Sequence, residues 1–234
     1  YGSLFHASIS HFFELLEKRH LNWREITDVQ RNQLVEESVA KAMEEYQTTV
    51  FDSSARNKSM AGRIRRMTDR TLWALGCQWE HGSYEKTWHE LDFGRAGGNG
   101  VTLPVEEGLE LSLRGRIDRV DFAEEDGSLY VKVIDYKSGS TKLDLGKVYY
   151  GLQLQLVLYL EAAMAMAAKR NPNRKIIPAG IYYYNMKDPI VSGFDMTKEE
   201  IEAKQQKELR MNGITSTEKA SLLLIDAEGG NVVS

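Results

Sequence analysis

The sequence predicts an α/β fold: a mixed β-sheet flanked by helices, with extra helices at the N-terminal end. Three features predict it. Before residue 80, apolar side chains recur at helical spacing. Two strand-like runs then meet at Asp126-Gly127, a two-residue hairpin turn. A long helical segment follows and leads to a further strand, the order of a layered α/β domain.

The elements follow in order. Residues 3–19 form an amphipathic helix, with Phe5, Ile9, Phe12 and Leu16 on one stripe. Asp28 is the expected cap of a second helix, whose apolar face is Leu34, Val35, Val39, Ala42, Met43 and Tyr46. A third helix runs from Ser59 to Cys77 through Met60, Ile64, Met67, Thr71, Leu72 and Leu75, with Gly82 at its exit. Tyr84 to Phe93 reads as a strand, followed by the glycine-rich loop Gly94 to Gly100. Leu109 to Phe122 reads as one long strand and Leu129 to Lys137 as its return. Lys147 to Arg170 is rich in Leu, Ala and Met and predicts one long helix. Ile181 to Tyr184 predicts a short strand, 197–212 a polar helix and Leu222 to Asp226 a last strand. Trp73, Trp79 and Trp88 are expected at the core or its boundary.

The 234 residues fit one domain, with a helical part at 1–80, an αβ core at 83–185 and a C-terminal extension at 197–234. Because the chain begins at Tyr1, it is expected to be an excerpt of a longer protein. A single cysteine, Cys77, excludes a disulfide framework and a cysteine-only metal site within these residues, and fits a reducing cytoplasm. No apolar run approaches the roughly 18 residues of a membrane span, so no membrane partner is expected. A net charge of −4 gives no global attraction to nucleic acid, so any such surface must be local.

The chemistry concentrates in GRIDRVD (115–121) and VIDYKSG (133–139). Asp135 and Lys137 are two apart on a strand and share a face. The Asp126-Gly127 turn lies midway between Asp118 and Asp135, so a tight hairpin would set the two carboxylates opposite or nearly so. Carboxylates that close repel unless a cation lies between them. Hard oxygen donors in a hydrated site favour Mg²⁺ or Mn²⁺. Such a metal can polarise a phosphodiester and acidify a bound water, while Lys137 orients that water or offsets charge on the phosphate. Charges at Arg116, Asp118, Arg119 and Asp121 are unusual on a strand otherwise apolar, and Gly115 would admit a close neighbour. Between Arg56 and Arg70 six basic residues face one acid, and Arg63, Arg66 and Arg70 form a stripe. That stripe is either a phosphate-contacting surface or a solvated or docking face.

These two segments resemble the PD-(D/E)XK nucleases, whose core is the restriction-endonuclease-like sheet. Within them they resemble the RecB-like branch, and within that the C-terminal nuclease domains of AddB-type subunits of bacterial helicase–nucleases. The resemblance extends to GSLFH (2–6), SARNKSMAGRIRRM (54–67), HELDFG (89–94) and YYGLQLQLVLYL (149–160), nearly the whole chain.

The resemblance implies a Mg²⁺-dependent exonuclease domain for single-stranded DNA, working in double-strand break repair within a helicase–nuclease. Asp118, Asp135 and Lys137 would be catalytic. His6, Asp118, Asp135 and the Tyr136 carbonyl would hold the metal, with Glu90 joining through a water. Gln155 and Tyr159 would line the site, and Arg116, Arg63, Arg66 and Arg70 would meet DNA. On residues alone, Gln155 and Tyr159 could equally be the polar edge of a packed face. AddB-type domains hold an iron–sulfur cluster on four cysteines; with Cys77 alone here, none is expected within these residues. No G-x-x-x-x-G-K-[ST] motif occurs, so an ATP site would belong to the rest of a helicase-like parent polypeptide or to a partner helicase–nuclease subunit. The alternatives are a catalytically silent nuclease-fold module that binds DNA or scaffolds a repair complex, or a stand-alone Cas4-like nuclease.

Overall fold

The computed structural model describes residues 2–46, 55–94, 101–106, 109–191 and 195–228. They fall into two compact units, each assembled from separate stretches of chain. Unit 1 holds the residues up to Glu80, Lys137–Ser140 and Asn185–Arg210; unit 2 holds the remainder. Part of the expected glycine-rich loop lies outside the described residues, as do 47–54. Among the described residues, no helix is long and apolar enough to cross a membrane.

Unit 1 is helical. Its first helix, α1 (Gly2–Lys18), buries Phe5, Ile9, Phe12 and Leu16, the stripe its spacing predicts. Burial of such side chains contributes roughly 1.5–3 kcal/mol each. The next, α2 (Asp28–Glu45), buries Leu34, Val35, Val39 and Ala42. Its cap is Thr27, not Asp28. Thr27 Oγ1 accepts from the Gln30 N–H at 3.3 Å, while the Gln30 side chain accepts from the Thr27 N–H at 2.9 Å. That reciprocal box satisfies two backbone donors where a lone aspartate cap satisfies fewer. Tyr46, expected on the apolar face, ends the helix and is exposed. The third helix, α3 (Ala55–Glu80), is longer than its apolar pattern predicts. Arg31 of α2 reaches Asp69 of α3 at 2.9 Å. The polar helix α6 (Lys198–Glu208) is tied to α3 by Arg70 donating to Gln205 at 2.7 Å. Gln78 donates to the Leu209 carbonyl at 3.0 Å just beyond it.

Unit 2 is built on a mixed five-stranded sheet. Its strands are β1 (Lys86–Phe93), β4 (Gly115–Glu125), β5 (Ser128–Lys137), β6 (Lys175–Asn185) and β7 (Asn212–Thr215), in the order β1-β4-β5-β6-β7. The pairs β1–β4, β4–β5 and β6–β7 are antiparallel, whereas β5 reaches β6 through a helical crossover. A separate antiparallel pair is formed by β2 (Val101–Glu106) and β3 (Leu109–Leu113).

The hairpin forms as predicted. Asp126 and Gly127 both have positive φ (47° and 73°), and Glu125 pairs with Ser128. The single strand expected over Leu109–Phe122 is two strands. The chain breaks at Arg114, where a Cβ on Gly94 (φ +77°) would stand 2.0 Å from the Leu113 carbonyl oxygen. The long helix expected from Lys147 is also two: α4 (Leu145–Tyr149) and α5 (Gln155–Arg170). Gly151 at φ +73° ends α4, and the Leu152 N–H returns to the Lys147 carbonyl at 2.8 Å. The last segment, expected as a strand, is helix α7 (Lys219–Ile225), with Ser221, Leu224 and Ile225 turned inward at helical spacing. Two strands were not expected, β2 and β7; in β7 a Cβ on Gly213 would stand 2.0 Å from the Ile181 carbonyl oxygen. Near the other end of the unit, the Ser83 N–H donates to the Leu224 carbonyl at 2.8 Å and the Ala227 N–H to the His81 carbonyl at 2.9 Å.

The core lies between α5 and one sheet face. Leu156, Ala162, Ala163, Met166 and Ala167 pack on Ile117, Val120, Phe122, Val131 and Val133. Small alanines let the helix lie close to the strands. Trp88, half-buried, packs edge-on to Phe122 with Arg170 over its ring, a boundary role.

Candidate active site

The hairpin turn fixes where the carboxylates stand. Along β4 and β5 the register runs back from the turn to Arg119 opposite Ile134. One step further stand Asp118 and Asp135. Asp118 is 9% exposed and Asp135 3%. The Asp118 carboxylate accepts the Tyr136 N–H at 2.7 Å, so a backbone donor of β5 holds it in place. Lys137, half-buried, is two residues past Asp135 on the same strand. Its carbonyl accepts the Met186 N–H at 2.8 Å.

The third strand adds Glu90. His89 pairs with Arg119 and Leu91 with Ile117, which leaves Glu90 across from Asp118. Oxygens of the two carboxylates lie within 4.8 Å of each other. Glu90 has φ +47°, a conformation that costs a non-glycine residue about 1–2 kcal/mol. The core includes both Trp88 and Leu91, and both Ile117 and Val120. Strict alternation would put each pair on opposite faces, so the alternation shifts by one at Glu90 and Asp118. Strain of this kind gathers at functional sites. A row of carboxylates from β1, β4 and β5, two of them nearly buried, is a hard-oxygen donor set whose mutual repulsion a divalent cation relieves.

Arg116 is engaged by neighbouring acids: it donates to Asp92 at 3.0 Å and to Glu90 at 3.4 Å. Gly115 does admit a close neighbour, but the neighbour is the Phe93 ring, 2.7 Å from where a Cβ would sit. That ring meets Tyr159 edge-on at 5.9 Å. Gln155 donates to the Tyr159 hydroxyl at 2.9 Å, so the two share a face of α5.

His6 lies on α1 of unit 1, half-buried and edge-on to Phe5. The basic stripe divides. Arg63 and Arg66 line a cleft of unit 1, whereas Arg70 is held by Gln205 and lies over the Trp73 ring. Arg56, at the start of α3, lies among residues whose side chains are not described.

Sequence reasoning missed a charged network on the sheet face opposite α5. Arg119 Nε donates to Asp121 at 2.6 Å, Thr87 donates at 2.9 Å, and Lys132 Nζ lies 3.1 Å from Asp121. All three charged groups are nearly buried. Burial raises the Asp121 pKa, but Arg119 and Lys132 outweigh it, and the group ends below the usual carboxylate range. Burial pushes Lys132 down, and its ammonium sits 3.9 Å from the centre of the Tyr84 ring. Burial and then Arg119 push His89 down to about 3, so it is neutral near pH 7. Tyr136 is pushed up to about 12 by burial. A signal was present in the sequence: Arg119, Asp121 and Lys132 alternate with apolar residues, and such a stripe reads as a solvated face unless something covers it.

Comparison with known proteins bears on the family of the chain. A family model described as the PD-(D/E)XK nuclease superfamily matches residues 1–225. The chain is 42% identical over 225 residues to a subunit of the ATP-dependent helicase/deoxyribonuclease of Lachnoclostridium phytofermentans, covering 96% of this chain and 18% of that protein. Proteins of the same description are 36% identical in Caldanaerobacter subterraneus subsp. tengcongensis (91% of this chain, 18% of that protein) and 32% in Alkaliphilus oremlandii (98% and 20%). The chain thus spans about a fifth of the length of these relatives.

Proposed function

The chain belongs to the PD-(D/E)XK nuclease superfamily, and on that premise we propose that it is a divalent-metal-dependent exonuclease domain acting on single-stranded DNA ends. The observation that carries the proposal is the carboxylate row: Asp118, fixed by the Tyr136 N–H, next to Asp135 and facing Glu90. Asp118, Asp135, the Tyr136 carbonyl and His6 would hold Mg²⁺ or Mn²⁺, with Glu90 in reach of Asp118. When bound, the metal would polarise the phosphodiester and supply an acidified water.

The chain's own residues do the rest. The Tyr136 N–H keeps the Asp118 carboxylate aimed into the site. Lys137 orients the attacking water and offsets charge on the phosphate. Gln155 and Tyr159, already joined by a hydrogen bond, line the site against the DNA backbone. The relatives' description as subunits of an ATP-dependent helicase/deoxyribonuclease supports coupling to a helicase, and we place that work in double-strand break repair. The proposal therefore includes the remainder of a longer polypeptide, a partner from the same helicase–nuclease assembly, and a cytoplasmic location.

The test is degradation of end-labelled single-stranded DNA with Mg²⁺ or Mn²⁺, comparing the wild type with Asp135→Ala. We expect cleavage that EDTA stops and a fall of at least about a hundredfold in the variant, the order expected for loss of a group that stabilises the transition state. Cleavage that survives in Asp135→Ala refutes the assignment. A chain that binds DNA but never cleaves it, with either metal, would favour the scaffold reading.

A further inference from the structure

Unit 1 has a cleft of about 430 Å³. Its walls are Arg63 and Arg66 of α3, the Ser138-Gly139-Ser140 turn, and the segment from Met186 to Ile190. We propose that this cleft is a binding subsite for one nucleotide of a single DNA strand, gripping its phosphate. The proposal rests on the nuclease reading for its choice of ligand, and on four observations for its location.

The first is charge. Arg63, Arg66 and Lys187 face one carboxylate, Asp188, in a chain whose net charge is −4. Local excess of cations in an acidic protein marks where a phosphate can sit. The second is size. The volume lies in the range of small-ligand sites and suits one nucleotide rather than a duplex.

The third is Gly139. Its φ is not in the left-handed region, and a Cβ there would meet nothing within 4 Å. Neither packing nor backbone geometry requires a glycine there, and the absent side chain leaves room beside the backbone for a close ligand. Ser138 and Ser140, both exposed, add hydroxyl donors on either side. The fourth is chain position. The turn begins directly after Lys137, so a phosphate held there neighbours the proposed catalytic lysine along the chain.

Asp188 gives the subsite a built-in competitor. It lies 3.2 Å from Arg66 Nε, in a pair whose arginine is exposed and whose aspartate is half-buried. Exposed pairs contribute little to stability. A phosphate can therefore take Arg66 from Asp188 with little loss. Ile190, 94% exposed on the cleft's wall, offers an apolar surface to a base.

The experiment is fluorescence anisotropy with a labelled oligothymidylate and the wild-type chain in EDTA, where a metal-dependent nuclease is silent. Arg63→Glu/Lys187→Glu should weaken binding at least tenfold. It should also lower the slope of log affinity against log salt by about 0.7, the value for one phosphate contact on a single strand. Gly139→Val should weaken binding with an unchanged melting temperature, and Asp188→Asn should tighten it severalfold. The charge-matched control Lys198→Glu/Lys207→Glu, on α6, should do neither. Equal weakening by both double reversals, or unchanged binding in Gly139→Val, overturns the subsite. These outcomes are separate from the nuclease test: cleavage can fail in the Asp135→Ala comparison while the cleft still binds, and the reverse.

Discussion

Asp121 is the residue whose removal should be felt most in the folded state. It accepts from Arg119 and Thr87 and pairs with Lys132, and all three charged groups are nearly buried. Asp121→Ala leaves two buried cations without that carboxylate, a change that typically costs about 3–5 kcal/mol. Two charge-assisted hydrogen bonds at roughly 1.5–3 kcal/mol each give a similar figure. For a chain of this length, about 2–4 °C per kcal/mol predicts a melting temperature lower by roughly 6–20 °C. The loss has a ceiling, because Lys132 is already pushed down by burial and can shed its proton. The sign is then fixed. A lysine with a depressed folded pKa leaves the unfolded chain holding more protons, so stability of the variant rises with pH. In the wild type, the lowered Asp121 pKa gives stability present above the unfolded value of about 3.9 and lost as pH falls through the folded one. Circular dichroism melts and urea midpoints at pH 7 and pH 9 read both effects. A loss under about 1 kcal/mol, or no recovery at pH 9, refutes the reasoning. Replacing the whole set, Arg119→Met/Asp121→Leu/Lys132→Met, should be near neutral, as apolar replacements of buried ion clusters often are.

Three further outcomes are expected. Glu90→Gly should relieve its positive φ and raise stability by about 1 kcal/mol in metal-free buffer, yet weaken Mn²⁺ binding by calorimetry; unchanged melting denies the strain and unchanged binding denies the ligand role. With His89 held at about 3, stability should fall by about 1.4 kcal/mol per pH unit as pH drops from ~6.5 toward that value. His89→Leu should flatten the slope, and an equal slope in both proteins would sink the claim. Gly213→Ala drives a methyl onto the Ile181 carbonyl and should destabilise by about 1–3 kcal/mol in urea; a neutral result would show that β7 is not held as described.

What the sequence made legible was local. Phe5, Ile9, Phe12 and Leu16 sit on one helical stripe whatever they pack against. The Asp126-Gly127 turn sets the register within its own hairpin, so Asp118 and Asp135 could be placed from spacing alone. What stayed hidden was decided at long range. Leu222 to Ile225 is too short an apolar run to separate strand from helix, and the contacts made by Leu224 and Ile225 choose the helix. Gly151 lies amid good helix formers, so its break at positive φ was invisible to propensity. Arg119 and Asp121 stood out as charges on an apolar strand, but their network stayed hidden because Lys132, Thr87 and Tyr84 come from other segments of the chain. Glu90 was in the motif, but its strained backbone was not readable from any neighbour.

The contacts that join residues 81–83 to 224–227 also set a clock. They close a loop of more than 140 residues with two backbone hydrogen bonds. During synthesis at roughly 5–20 residues per second, β1 would emerge about 7–30 s before the segment that clasps its leading end. Until then the sheet must wait with that end unsealed, while the α1–α2–α3 bundle can already form from local contacts. Vectorial folding of this chain should therefore be helical first, with the carboxylate row completed only when β5 has been made and its surrounding unit sealed later still. A ribosome-stalled chain ending before residue 219 should show protease-resistant helices and a sheet still open to digestion.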